Sequence, residues 1–406
     1  MKVGWDWAAE SHDVTVIDDE GALVDHIGLA HDEAGIDGAL RRLGDHGDPE
    51  DLPVAIETTA GLVVDRLLAA GHPVVPIHPN AFNAAWPRWG AARAKSDPGD
   101  SYKLADYLRT DGHRLRVLQP LDQATAELQA LCRMRDDHVE AKVAATNQLS
   151  SLLDRHWPGA RAVFARLDSD IALSFLEDYP TPASAARLGE TRMKMFCRRH
   201  SYCGRRSPGE LVARLRDAPV APVGLSEEIL ACCVRAQVRL LRSLLRTIAD
   251  LDRSMGAILL GHAKAALLAP LPRIGKVNLA QVVAEVGPIL DRSADVAHAC
   301  AEAGASPVTK ASGKNKGATF RWAANTRARD ALATFADNSR HQSPWAARLY
   351  AQARGRGHRH PHAIRVLMRA WVRVMWACWH TNTAYDPNRH GAERTLASQN
   401  IQASAA

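Results

Sequence analysis

Four carboxylates in the first quarter of this chain stand where oxygen ligands would be useful. Asp6 interrupts the apolar alternation Val3-Gly4-Trp5-Asp6-Trp7. A lone charge buried there would be costly, and a metal ion is one good reason to keep it. Glu57 closes the run Leu52-Pro53-Val54-Ala55-Ile56, and sites gather beyond the C-terminal ends of such strands. Asp97 and Asp100 fall in Lys95-Ser96-Asp97-Pro98-Gly99-Asp100. Proline there marks a first helical turn, and the spacing puts both acids on one side of it. An all-oxygen set suits a pair of Mg²⁺ ions, or Mn²⁺, that activate a nucleophile and stabilise a leaving oxygen in phosphoryl transfer. The plainer reading makes Asp97 an N-cap and Asp100 the second half of a capping box.

Ser312 is the second candidate, in Lys310-Ala311-Ser312-Gly313-Lys314-Asn315-Lys316. A serine hydroxyl is a poor nucleophile near neutral pH and needs a base, a metal or electrostatic help. Lys310, Lys314, Lys316 and Arg321 would supply positive charge to a pentavalent phosphate, and Gly313 and Gly317 let backbone approach the strand. A loop serine that only binds phosphate is the alternative. Arg327, Arg329, Arg356 and Arg359 extend the basic set as nucleic-acid contacts. In Arg354-Gly355-Arg356-Gly357-His358-Arg359-His360-Pro361-His362 the alternating histidines cannot easily converge on one ion, so the stretch is read as a nucleic-acid contact. Trp371, Trp376 and Trp379 share helical spacing and are read as a core face rather than a base-stacking platform.

The charge is distributed to match. Residues 1–60 hold 15 Asp and Glu against 3 Lys and Arg, a balance of −12, whereas the rest of the chain carries +18. Residues 301–380 have 14 basic residues against 3 acids. An acidic head on a basic body fits metal-carboxylate chemistry beside a polyanion-binding surface; a merely solvated basic face is the other reading.

The elements that must position these residues are legible. Strand alternation runs through residues 3–7, His12 to Ile17 and Ala22 to Leu29, with a turn at Asp18-Asp19-Glu20-Gly21. A helix, the strand ending at Ile56, a helix over Gly61–Ala70 and the strand Val74–Ile77 follow. Three meander strands followed by alternating α and β elements are the order of the ribonuclease H fold. From Leu121 to Trp157 and from Leu225 to Leu260 the spacing predicts two helices of roughly 50 Å each. They form either an antiparallel arm or dimerisation coiled coil, or an ordinary bundle. A small helical insert, 158–224, separates them. Leu271-Pro272-Arg273-Ile274-Gly275-Lys276 and the amphipathic stretch after it resemble a helix-hairpin-helix, whose turn offers N–H groups to a phosphate.

With 406 residues, 46% of them hydrophobic, the chain exceeds what one core usually serves. The expected division is 1–118 for the α/β catalytic domain, 119–260 for the helical and coiled-coil region, 261–387 for an α-helical C-terminal domain, and 388–406 for a polar, disordered tail. Seven scattered cysteines without a CxxC pair argue against a disulfide framework or zinc site. No apolar run reaches a membrane span, and Asp6 and Glu10 interrupt any signal peptide; a cytoplasmic protein, nucleoid-associated when bound to DNA, is expected.

The combination resembles a known family. Val3-Gly4-Trp5-Asp6-Trp7-Ala8, Ala55-Ile56-Glu57-Thr58, and Lys95-Ser96-Asp97-Pro98-Gly99-Asp100 with Leu104-Ala105-Asp106-Tyr107-Leu108 resemble the RuvC-like domain of the DEDD transposases. These are the insertion-sequence "IS-one-ten" recombinases, related to the Piv DNA invertases. The likeness continues through Arg205-Arg206-Ser207-Pro208, Leu271-Pro272-Arg273, Ala311-Ser312-Gly313-Lys314, Phe320-Arg321-Trp322-Ala323, Arg329-Asp330-Ala331-Leu332, Ser339-Arg340-His341 and Tyr385-Asp386-Pro387. Arg273 departs from it, standing where many members have a glycine. The resemblance implies that Asp6, Glu57, Asp97 and Asp100 form an acidic tetrad and that Ser312 is a nucleophile forming a covalent phosphoserine link. It also implies guidance by a structured bridge RNA pairing with donor and target DNA, and a homo-oligomer, dimer or tetramer, in which acids and serine come from different subunits. Two rivals remain: a junction-resolving nuclease using water, and a non-catalytic relic that only binds nucleic acid. Sugar kinases share the fold but need a DxGT-type phosphate loop, and Trp7-Ala8 stands there instead.

Overall fold

The computed structural model describes residues 1–90, 97–221, 225–312 and 315–391, with backbone alone for residues 310–312, 315 and 316. The chain forms two compact units, Met1–Pro120 and Leu121–Ala406.

In the first unit the apolar alternation becomes β1 (Lys2–Trp7), β2 (Ser11–Ile17) and β3 (Leu23–Ala30). Helix α1 (Glu33–Gly44) follows, its N-terminus capped by Asp32 accepting from the Gly35 amide. Then come β4 (Val54–Ile56), α2 (Leu62–Ala69), β5 (Val74–Pro76), α3 (Pro79–Ala85) and α4 (Asp97–Asp111). The strands form one five-stranded mixed sheet in the order β3-β2-β1-β4-β5. The meander pairs antiparallel, while β1–β4 and β4–β5 pair parallel. The pleat sends alternate side chains to opposite faces. Val3, Trp5, Val14, Val16, Val54 and Ile56 build a core with Leu43 and Leu67 on one side. Ala55, Val75 and Ile77 pack with Leu104 and Leu108 of α4 on the other. The short parallel strands are buried except at Pro76, which is why they read as unbroken apolar runs rather than alternation.

The second unit opens with α5 (Gln123–His156), and its partner is α11 (Glu227–Gly261). Between them lie α6 (Pro158–Val163), α7 (Asp170–Asp178), α8 (Pro182–Ala185), α9 (Glu190–Arg199) and α10 (Pro208–Arg216). The long helices run antiparallel. Thr125 Oγ1 meets His262 Nε2 at 2.9 Å, Arg135 Nε donates to Asp252 at 2.5 Å and Gln237 Nε2 to Gln148 at 3.4 Å, so contacts climb one helix as they descend the other. Their buried residues divide between two cores. Leu149, Leu153, Leu230, Val234 and Val238 join the aromatic cluster of Trp157, Phe164, Phe175 and Phe196 in the insert. Leu128, Cys132 and Met255 belong to the C-terminal core. Both long helices therefore contribute to both cores.

The remainder comprises α12 (Ala265–Leu268), α13 (Lys276–Gln281), a π-turn at Val282–Val286, α14 (Gly287–Arg292), α15 (Val296–Glu302), β6 (Val308–Ser312), β7 (Asn315–Thr319), α16 (Thr326–Ser339), α17 (Pro344–Gly355) and α18 (His360–His380). Trp371 is fully buried and donates from Nε1 to Ser339 Oγ at 2.8 Å, and Trp379 donates to Asp291 at 2.6 Å. The tryptophan spacing was therefore a core face. The C-terminal domain is mostly helical, as expected, and β6 and β7 add to it a two-stranded antiparallel ribbon. The ribbon's polar, glycine-containing sequence lacks the apolar alternation that announces a half-buried strand. The turn between α12 and α13 exists, and its left-handed residue is Arg273, at φ +56°, rather than Gly275. Of the expected tail, residues 388–391 are described and 392–406 lie outside the described residues. No helix among the described residues is long and apolar enough to cross a membrane. All seven cysteines are free, with Cys132, Cys197, Cys300 and Cys378 buried.

Candidate active site

The first unit brings Asp6 to one sheet face through register. Gly4 pairs with Ala55 across β1–β4, and both lie on the face covered by α4. Asp6 stands two residues beyond Gly4 in β1, so the pleat carries it onto that face, and Glu57 directly follows Ile56 at the C-terminal end of the neighbouring β4. Each is half-buried. Helix α4 lies almost on the strand: a Cβ at Gly4 would stand 2.0 Å from the Ser101 carbonyl oxygen and 2.5 Å from the Ala105 nitrogen. The buried hydrogen bond between Thr15 Oγ1 and Ser101 Oγ, 2.7 Å, fixes the crossing, and Tyr102 Oη donates to the Gly21 carbonyl at 2.9 Å. The first turn of α4 carries Asp97, exposed, and Asp100, 5% exposed, and the positive end of the helix dipole favours acids there.

All four carboxylates supply oxygen, so their donor chemistry fits a hard divalent cation. Among the described residues, however, no three Asp, Glu, His or Cys side chains stand close enough to hold one. Asp100 is engaged by Lys103, whose Nζ lies 2.8 Å from its Oδ1 and 3.9 Å from the centre of the Trp86 ring. Lys103 was not foreseen, although its i+3 spacing from Asp100 was a readable signal. Asp13 was also missed: it pairs with Asp6 across β1–β2 and shares that face, where His26 Nε2 meets it at 2.8 Å.

Ser312 ends β6 and pairs with Asn315 of β7, so its backbone stands at the tip of the ribbon. Lys314 lies outside the described residues, and only the backbones of Lys310 and Lys316 are described. Arg321 ties down the ribbon's base, donating from Nε to the Ser306 carbonyl at 3.2 Å. Arg327 is held by Asp137 at 3.3 Å and Asp136 at 3.8 Å, which occupies its charge within the unit. Arg329 packs its guanidinium 5.1 Å from the centre of the Phe320 ring, and Arg356 and Arg359 are exposed. The histidines do not gather: His358 stacks on His362 at 4.0 Å, while His360 bonds Tyr350 Oη at 2.9 Å.

Two family models match this chain. A transposase model of the DEDD, IS110 type covers residues 3–158, the sheet, α4 and the first long helix, and a second, "Transposase IS116/IS110/IS902 family", covers residues 265–351. The class is thus transposase, an enzyme that cuts and rejoins DNA. The "Mini-circle putative transposase for IS117" of Streptomyces coelicolor is 31% identical over 95% of this chain and 95% of its own length. The "Insertion element IS110 uncharacterized 43.6 kDa protein" of the same organism is 26% identical over 72% of each chain. The "Insertion element IS900 uncharacterized 42 kDa protein" of Mycobacterium paratuberculosis is 24% identical over 95% of this chain and 96% of its own. This chain belongs to the IS110 family of DEDD transposases.

Proposed function

We propose that this transposase works by phosphoryl transfer with Ser312 as nucleophile, on donor and target DNA selected by a bridge RNA, in a homo-oligomer. In this reading residues 1–118 form a RuvC-like catalytic domain, 119–260 a helical and coiled-coil region, and 261–387 the serine-bearing domain. The sheet order β3-β2-β1-β4-β5 supports the ribonuclease H assignment. The observation that carries the reading is that Asp6 lies on the sheet face covered by α4, whose first turn is acidic, while Glu57 follows the end of β4, the strand paired with β1. Mg²⁺, or Mn²⁺ in its place, would be held by Asp6, Glu57, Asp97 and Asp100 and would supply Lewis-acid stabilisation of the transferring phosphate. Ser312 Oγ attacks the phosphorus, the bond to the leaving strand oxygen breaks, and the serine proton ends on that oxygen. The phosphoserine link keeps the bond energy, so rejoining is the reverse attack by a strand hydroxyl and needs no ATP. Gly317 in β7, and Gly313 next to Ser312 in sequence, have no side chain to hinder a close backbone approach to the strand.

The test is Ser312→Ala in cells carrying the complete element, with denaturing recovery of protein–DNA adducts from the wild type. Loss of both recombination and adduct is expected. Normal recombination by the alanine variant would refute the serine step, and cleavage without any adduct would favour attack by water. Sequencing RNA that co-purifies with the chain tests the guide.

A further inference from the structure

One aromatic side chain of the C-terminal domain has no place in its core. Trp322, just beyond β7, is 81% exposed and meets Phe320 edge to face, with centroids 4.7 Å apart. Phe320 is in turn flanked by two guanidiniums, Arg329 and Arg365, each 5.1 Å from its ring centre. Arg329 Nη1 is buried and has no hydrogen-bond partner among the described residues. Among the described residues the one carboxylate paired with Arg329 is that of its exposed neighbour Asp330, at 3.9 Å. Arg365 has no ion pair among the described residues, and burial together with the like charge of Arg329 lowers its pKa. Arg369 and Arg373 continue the stripe along α18 at i+4 spacing, both exposed. Two like charges held beside one ring, next to a solvent-facing indole, are unfavourable for the protein alone. They suit a ligand that brings negative charge and a flat face together.

We infer that Trp322, Phe320, Arg329 and Arg365 form a nucleotide site, in which an unpaired base stacks on Trp322 and its backbone phosphate is drawn to Arg329 and Arg365. The inference rests on the transposase reading for its ligand and adds what that reading lacks, a place that takes a base out of a duplex. Stacking on an aromatic face is tolerant of base identity, and guanidiniums recognise phosphate in DNA and RNA alike. The site therefore reads an unpaired nucleotide rather than a sequence.

The experiment measures binding of the full chain to short oligo-dT, short oligo-U, a matched DNA duplex and an abasic strand of equal length. Trp322→Ala, whose exposed side chain makes misfolding no concern, should weaken single-strand binding by roughly five- to a hundredfold. It should leave duplex and abasic binding unchanged, and Trp322→Phe should restore most of the loss. Replacing Arg329 and Arg365 by Gln should weaken every probe and flatten the salt dependence by about 0.7 in log–log slope for a single strand. A loss confined to oligo-dT assigns the strand to DNA, and one confined to oligo-U assigns it to RNA. Equal affinity of wild type and Trp322→Ala for both single strands, or an equal loss on the abasic strand, would overturn the stacking site. If the wild type bound none of the probes, the broader nucleic-acid reading would fail with it.

Discussion

Gly4 sets how closely α4 can approach β1, and so where the acidic first turn sits. In Gly4→Ala the added methyl would lie 2.0 Å from Ser101 O and 2.5 Å from Ala105 N, both backbone atoms that no rotamer change can clear. Real Cβ contacts hardly occur under 3.0 Å, so α4 must retreat by at least about 1 Å. Overpacking of that kind costs about 1–3 kcal/mol, which leaves a protein of this size folded with a lower Tm. The same retreat stretches the 2.7 Å bond between Thr15 and Ser101 and moves Asp97 and Asp100 relative to Asp6 and Glu57. A displacement near 1 Å in a catalytic constellation costs about a hundredfold in rate. Gly28→Ala on the same sheet is the control, because nothing lies within 4 Å of its Cβ position. Recombination junctions counted by quantitative PCR in cells carrying the element should fall about a hundredfold for Gly4→Ala and stay unchanged for Gly28→Ala. Wild-type recombination and Tm in Gly4→Ala would refute the claim that this approach positions the acids.

Three further outcomes are expected. Burial lowers the pKa of His72 below its ordinary 6.5 against the opposing pull of its hydrogen bonds to the Leu52 and Pro49 carbonyls. The unfolded chain therefore takes up the proton first, so stability is full above 6.5 and declines as pH falls below it. Denaturation midpoints across that range should fall less in His72→Gln, and an identical slope would exclude His72 as a source. Burial pushes the Cys132 thiol up to about 12, so a thiol reagent should modify Cys203 and Cys232 in the native chain and spare Cys132; mass spectrometry showing native Cys132 modified would contradict this packing. Arg273 holds φ +56°, which costs a side-chain-bearing residue about 1 kcal/mol. Arg273→Gly should therefore raise the Tm, and an unchanged or lower Tm would mean that the turn carries no such strain.

What the sequence determined by itself follows from local physics. Alternation announced β1 to β3, unbroken apolar runs announced β4 and β5, and helical spacing announced α5, α11 and the buried Trp371 face. Those signals survive in one dimension because pleat and helix repeat at fixed periods. The carboxylates were visible because charge is scarce in such runs. Tertiary structure alone decided the rest. Register put Asp13 across from Asp6, and a glycine without a side chain let α4 settle onto β1. Packing of α4 also brought Trp86 over the Lys103 that holds Asp100. Folding set Arg327 against Asp136 and Asp137 but left Trp322 in solvent beside Arg329 and Arg365, though all three arginines look alike in sequence. A side chain's charge is written in the chain, whereas its partner is chosen by elements that meet only after folding.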